Sequence, residues 1–200
     1  MTKKLPIILA TESKYKQQIL SKLGLPFTAI APKINESPLP NERPQEIVER
    51  LAIAKAQKLA ETSPTSYIIG ADQVASFNGQ IIGKPHTIDN AVAQLSQFSD
   101  QIVTFYTGVS LFDWINEEYF SCVDTYNVHF RKLTRQDIEH YIAIESPLDC
   151  AGSFKSEGLG ILLFSKLEGR DPNALIGLPL IALAELFTKA NVSLLSHCQR

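Results

Sequence analysis

Two long β-rich runs constrain this chain most. Residues 102–114, IVTFYTGVSLFDW, and 118–133, EYFSCVDTYNVHFRKL, are crowded with β-branched and aromatic residues and are separated only by a turn at Asn116-Glu117. Strands joined this tightly can only be antiparallel neighbours, and these two are long enough to form the spine of a sheet. Around them the pattern alternates between strand and helix throughout, with no internal repeat and no low-complexity segment. The chain therefore reads as mixed α/β, one domain over residues 1–200, with a long sheet flanked by helices.

The elements follow from local signals. PIILA is a buried strand, and ESKYKQQILSKLG behind it is a helix with Ser13 as N-cap and Gly24 as its stop. PFTAIAP is a second strand, and the prolines of KINESPLPNERP forbid regular structure after it. PQEIVERLAIAKAQKLAET is a long helix whose three- and four-residue spacing puts Val48, Leu51, Ala52, Lys55 and Leu59 on one face, so Lys55 interrupts an apolar stripe. SYIIGADQVASF reads as a buried strand broken at Gly70 and resumed, with Asn78-Gly79 as a type I′ hairpin signal. TIDNAVAQLSQFS is a helix. Thr134 and Asp137 form an approximate capping box for RQDIEHYIAIE. SPLDCAGSFKSEGLG is irregular and ILLF is a strand. Asp171-Pro172 and Pro179 open two final helices.

Composition narrows the partners. With 44% apolar residues in 200, the chain can bury a substantial core. A formal charge of −2 offers no basic excess for a nucleic-acid backbone, so an anionic partner must be held by a local cluster of cations, and a small ligand fits better than a polymer. The basic start MTKK leads into an apolar run that ends at Ala10 without a small-residue cleavage site, and ALIGLPLIALAELF is too short and too interrupted to span a bilayer. A cytoplasmic protein, bound to neither membrane nor nucleic acid, is the expectation. Cys122, Cys150 and Cys198 are odd in number and widely spaced, and the four histidines are scattered, so neither a disulfide framework nor a zinc site is indicated.

Two places could carry chemistry. The first is LATESKYKQQIL, whose first helical turn holds Lys14 and Lys16 where the helix dipole favours acids. Either both ammonium groups reach water, or an anion belongs at this helix start, cradled by N–H groups, a hydroxyl and two cations. The second is IIGADQV with Gly83-Lys84-Pro85 beyond the hairpin. An Asp at the end of an apolar strand is held rigidly at a cleft, although on spacing alone Asp72 fits a turn equally well, and Lys84 fits a solvated turn lysine.

Taken together, IILATESKYKQQILSKLGLPF, PKINE, RLAIAKAQ, IIGADQV, GKP, VTFYTGVSLF, AGSFKSEGLG and EGRDPNALIGLPL resemble, in order and spacing, the Maf family of nucleotide pyrophosphatases. The resemblance covers nearly the whole chain. It implies an elongated mixed sheet with two lobes around a central cleft, and hydrolysis of a nucleoside triphosphate to monophosphate and pyrophosphate with a divalent cation, Mg²⁺ or Mn²⁺. It assigns Asp72 as general base, Asp72 and Glu36 as metal ligands, and Lys55 and Lys84 as triphosphate contacts. Ser13 and Lys16 match the phosphate-binding first motif, in which this chain has Lys14 for proline and Lys16 for arginine. Tyr15, Gln73 and Glu157 match positions that set base preference. Gln73 and SFKSEG resemble the branch acting on 7-methyl-GTP, the dTTP and UTP branch having Thr after the Asp. The small-molecule partner implied is a nucleotide, with a homodimer as the assembly to test. A non-catalytic nucleotide-binding regulator of septum formation is the alternative from another class.

Overall fold

The computed structural model describes residues 5–63 and 65–198; the basic start at residues 1–4 lies outside them. Its elements run β1 (Ile7–Ala10), α1 (Lys14–Ser21), β2 (Phe27–Ile30), α2 (Pro44–Ala60), β3 (Tyr67–Phe77), β4 (Gln80–Ile82), α3 (Ile88–Phe98), β5 (Ile102–Asp113), β6 (Glu118–Phe130), α4 (Arg135–Glu145), β7 (Phe164–Gly169), α5 (Pro172–Ile176) and α6 (Leu180–Lys189). The seven strands form one sheet in the order β2-β1-β3-β5-β6-β7, with β4 beside β3. β1 is parallel to β2 and β3, and the remaining pairs are antiparallel. The spine is the β5–β6 hairpin, in register from Ile102 opposite His129 to Asp113 opposite Glu118.

Local chemistry accounts for most boundaries. Ser13 caps α1 through its hydroxyl, Thr87 caps α3, and Thr134 with Asp137 completes a capping box on α4. Asn78 and Gly79 both have positive φ, as a type I′ turn requires. Three expectations need correction. α1 ends at Ser21 rather than running to Gly24, whose φ of 61° instead closes the turn that follows. ILLF is not a strand as a unit, because residues Leu159–Leu163 coil into a 3-10 turn and β7 begins only at Phe164. β3 also runs unbroken through Gly70.

The reason for Gly70 is helix packing. α2 buries Val48, Leu51, Ala52, Lys55, Ala56 and Leu59 against β3 and β5. A Cβ on Gly70 would lie 2.0 Å from the Ala52 carbonyl oxygen, and one on Gly108 would lie 2.3 Å from that of Val48. Glycine thus permits an approach that any side chain would forbid.

On the sheet face opposite α2, apolar packing is divided between the two ends of the sheet. One cluster joins Leu9, Ile19, Leu20, Ile69, Leu111, Leu183 and Phe187 from β1, α1, β3, β5 and α6. Another joins Leu95, Phe98, Phe105, Phe130, Ile138, Tyr141 and Phe154 around α3 and α4. Edge contacts between aromatic rings, such as Phe105–Phe154 at 5.3 Å, run through the second. Among the described residues, no helix is long and apolar enough to cross a membrane.

Candidate active site

The sheet has a gap in one strand's edge. β5 covers one side of β3 from Tyr67 to Ser76, while on the other side β1 reaches only to Gly70 and β4 starts only at Ala75. Residues 71–74 therefore present an edge that no strand pairs, beyond the carboxyl ends of the parallel strands, where open α/β sheets place ligands. A cleft of about 1050 Å³ opens there. Asp72 and Gln73 are successive residues on opposite faces of β3, and both line it.

Asp72 stands opposite Gly108 on the face toward α2. The close approach of α2 at Gly70 and Gly108 brings Lys55 directly over it, and the Lys55 ammonium donates to Asp72 Oδ1 at 2.6 Å. The same ammonium reaches Glu36 Oε1 at 2.8 Å, from the loop after β2. Lys55 is 6% exposed and Asp72 7%, so this pair sits in the wall, whereas the Glu36 side chain is 56% exposed. Burial pulls the lysine pKa down, but the Asp72 charge and the hydrogen bonds that Lys55 donates to Asp72 and Glu36 outweigh it and hold Lys55 above the ordinary lysine value.

Lys16 occupies the open edge itself. Its Nζ donates to the Ala71 carbonyl at 2.7 Å, one of the groups left without a strand partner. Burial, opposed by Asp72 and reinforced by Lys55, lowers its pKa to about 8. Lys16 is thus not a cation loose in the first helical turn, because its stem runs back over β3, while Lys14 is exposed on the cleft rim. Ser13 Oγ accepts from the Lys16 backbone N–H, and Lys84 also lines the cleft.

A second group of residues lies toward the α4 end. Gln73 is cross-strand from Thr107, and its amide nitrogen donates to Thr107 Oγ1 at 3.0 Å, Ala174 O at 2.7 Å and Leu175 O at 3.0 Å. Three acceptors around one nitrogen settle the orientation of the amide and leave its oxygen as the group available to a ligand. Tyr15 is near Glu157: burial first, then the neighbouring Cys150, Asp149 and Glu157, raise its phenol pKa. Burial and the Asp149 carboxylate push the Cys150 thiol up to about 12, away from the reactive thiolate.

All nine residues singled out from the sequence, Ser13, Tyr15, Lys16, Glu36, Lys55, Asp72, Gln73, Lys84 and Glu157, line this one cleft. The sequence reading missed others. Lys33 lies within PKINE and reaches the rim from a backbone φ of 42°, and Phe105 and Phe154 contribute aromatic wall. Thr107, fully buried, orients Gln73; a hydroxyl at the pairing position opposite Gln73 was the only available signal. Among the described residues, no group of three or more His, Cys, Asp or Glu side chains converges to hold a metal.

The family model described as Maf-like protein matches residues 6–190. A protein of Vibrio vulnificus (strain CMCP6) named 7-methyl-GTP pyrophosphatase is 49% identical over 189 residues, covering 94% of this chain and 97% of its own. A protein of the same name from Hydrogenovibrio crunogenus (strain DSM 25203 / XCL-2) is 50% identical over 194 residues, covering 96% and 97%. Among solved structures, a HAM1 protein from Coxiella burnetii matches with a TM-score of 0.51 at 15% identity, over 93% of this chain and 100% of that one, a likeness of fold alone.

Proposed function

The chain belongs to the Maf-like protein family, and from that premise we propose that it hydrolyses 7-methyl-GTP to 7-methyl-GMP and pyrophosphate. The observation that carries this reading is the convergence of two carboxylates on one buried ammonium, Asp72 and Glu36 on Lys55, beside an unpaired strand edge in a cleft of nucleotide size.

Two carboxylates without a third protein ligand fit a hard divalent cation that completes its shell with phosphate oxygens, not an all-protein cage. Asp72 and Glu36 would hold Mg²⁺ or Mn²⁺ in that way. When bound, such a cation offsets the charge of the triphosphate.

The chain's own groups do the rest. Asp72, fixed by β3 and by Lys55, accepts a proton from the water that attacks the α-phosphorus. The P–O bond to the β-phosphate breaks and its electron pair leaves with pyrophosphate. Lys55 and Lys84 stabilise the negative charge that shifts onto that leaving group, and Lys16, on the Ala71 carbonyl, adds a cation at the strand edge. At the other end, Tyr15 stacks on the methylated, positively charged purine. Glu157 accepts from the guanine N1–H and N2–H₂ edge, and the Gln73 amide oxygen lies toward the same base.

The test is pyrophosphate release with Mg²⁺ or Mn²⁺ across a panel of 7-methyl-GTP, GTP, dTTP and UTP. The highest kcat/KM on 7-methyl-GTP is expected. A preference for dTTP or UTP would overturn the base assignment, and nucleotide binding without release would turn the reading toward a regulator.

A further inference from the structure

α4 ends on an acid. Glu145 is its last residue, at the negative end of the helix dipole, and the helix's own last turn holds no basic residue. Ser146 follows in the left-handed conformation, its N–H bonded to Ile142 O, so the helix closes without help from the carboxylate. A charge in an unfavourable place that does no capping must be held by something else.

The Glu145 side chain is 19% exposed and turned onto the loop that carries Glu157. Its Oε2 accepts the Leu159 N–H at 2.8 Å, its Oε1 lies 3.7 Å from Lys155 Nζ, and its backbone carbonyl accepts from the same ammonium at 2.9 Å. One turn earlier, Tyr141 Oη accepts the Lys155 N–H at 3.0 Å. Between these anchors, residues 156–158 form a turn closed by Gly158 N–H and Gly160 N–H, both on Lys155 O. The carboxylate sits directly against this turn, since a Cβ on Gly158 would stand 2.7 Å from Glu145 Oε2. Glu157 itself is exposed and accepts at Oε2 from the neighbouring Ser156 hydroxyl at 3.3 Å, while the bonds that tie the loop to α4 lie on either side of it.

We propose that Glu145 is a positioning residue for base recognition, gripping Lys155 and Leu159 so that Glu157 is presented to the guanine edge in one pose. The proposal rests on the reading of Glu157 given above. By pre-organising a binding group, the clamp acts on affinity for the base and not on the phosphate chemistry.

The experiment compares wild type, Glu145→Ala, Glu157→Gln and the double variant, each in full-length protein with 7-methyl-GTP. Glu145→Ala should raise KM about tenfold with kcat within about twofold, and it should add nothing once Glu157 is Gln. Amide exchange in the free protein supplies the independent readout: the Leu159 amide should exchange faster in Glu145→Ala, while β5 and β6 amides keep their protection. Glu145→Gln, which retains an acceptor for Leu159, should recover most of that protection. Unchanged Leu159 exchange would overturn the clamp. Faster exchange with additive kinetic effects would overturn its action through Glu157. If Glu157→Gln leaves KM unaltered, the base assignment fails and the positioning role fails with it, an outcome told apart from loss of the clamp by the exchange data.

Discussion

Gly70→Ala should damage both stability and turnover although it lies in no binding contact. A Cβ at this position meets the Ala52 carbonyl oxygen at 2.0 Å and the Ala56 nitrogen at 3.0 Å, all backbone, so no side chain can rotate away. To bring the closest contact to the 3.0 Å that real Cβ atoms respect, α2 must recede from β3 by about 1 Å. Overpacking of this kind costs about 1–3 kcal/mol, and in a chain of this size each kcal/mol lowers Tm by about 2–4 °C, giving a fall of about 2–12 °C. Lys55 rides on the same helix. A retreat of about 1 Å stretches its 2.6 Å bond to Asp72 past hydrogen-bonding range, and misplacement on that scale costs up to about 10²-fold in rate. Calorimetry and pyrophosphate release measure the two effects. Gly83→Ala is the control, having no atom within 4 Å of the new Cβ and no positive φ, and its Tm should match wild type. If Gly70→Ala melts with that control and keeps its kcat, the helix–strand contact does not set the site.

Asp72→Asn should reduce pyrophosphate release by about 10²–10⁴-fold with an unchanged circular dichroism spectrum, and near-normal turnover would remove it as the base. Tyr15→Ala should lower kcat/KM for 7-methyl-GTP by about 1–2 kcal/mol more than for GTP, since the unmethylated base lacks the positive charge that stacking exploits. A uniform loss across nucleotides would sink the stacking assignment. Asp137 accepts from Thr134 backbone and side chain and from Arg131, which holds its pKa below the usual 3.8. Its contribution to stability is present above about pH 4 and is lost as pH falls through the lowered folded-state value. Urea midpoints of wild type and Asp137→Asn should therefore differ at neutral pH and converge in acid.

Much of the molecule was legible in local patterns because its causes are local. The β5–β6 hairpin follows from two β-rich runs and a short turn, the capping box of α4 from side chains three residues apart, and the type I′ turn from Asn78-Gly79. The buried lysine at residue 55 was visible as a break in an apolar stripe, though not the reason for it. Gly70 was misread for the opposite cause. A glycine inside a strand pattern suggests a break when only neighbours along the chain are considered, and nothing in those neighbours tells of a helix seventeen residues long passing overhead. The start of β7 was also shifted, because ILLF has an apolar run but its first residues form a 3-10 turn that closes beside the Glu157 loop.

The sequence by itself determined the element order, the mixed sheet, most of the caps and nine of the residues that line the cleft. Only the tertiary structure decided how they act together. That two carboxylates share one ammonium, that Lys16 turns back to the unpaired edge at Ala71, that Thr107 and α5 orient Gln73, and that Glu145 grips the loop of Glu157 are all contacts between segments distant along the chain. Such contacts depend on strand register and on the depth to which α2 packs, and those are set by close packing of the whole core rather than by any window of residues.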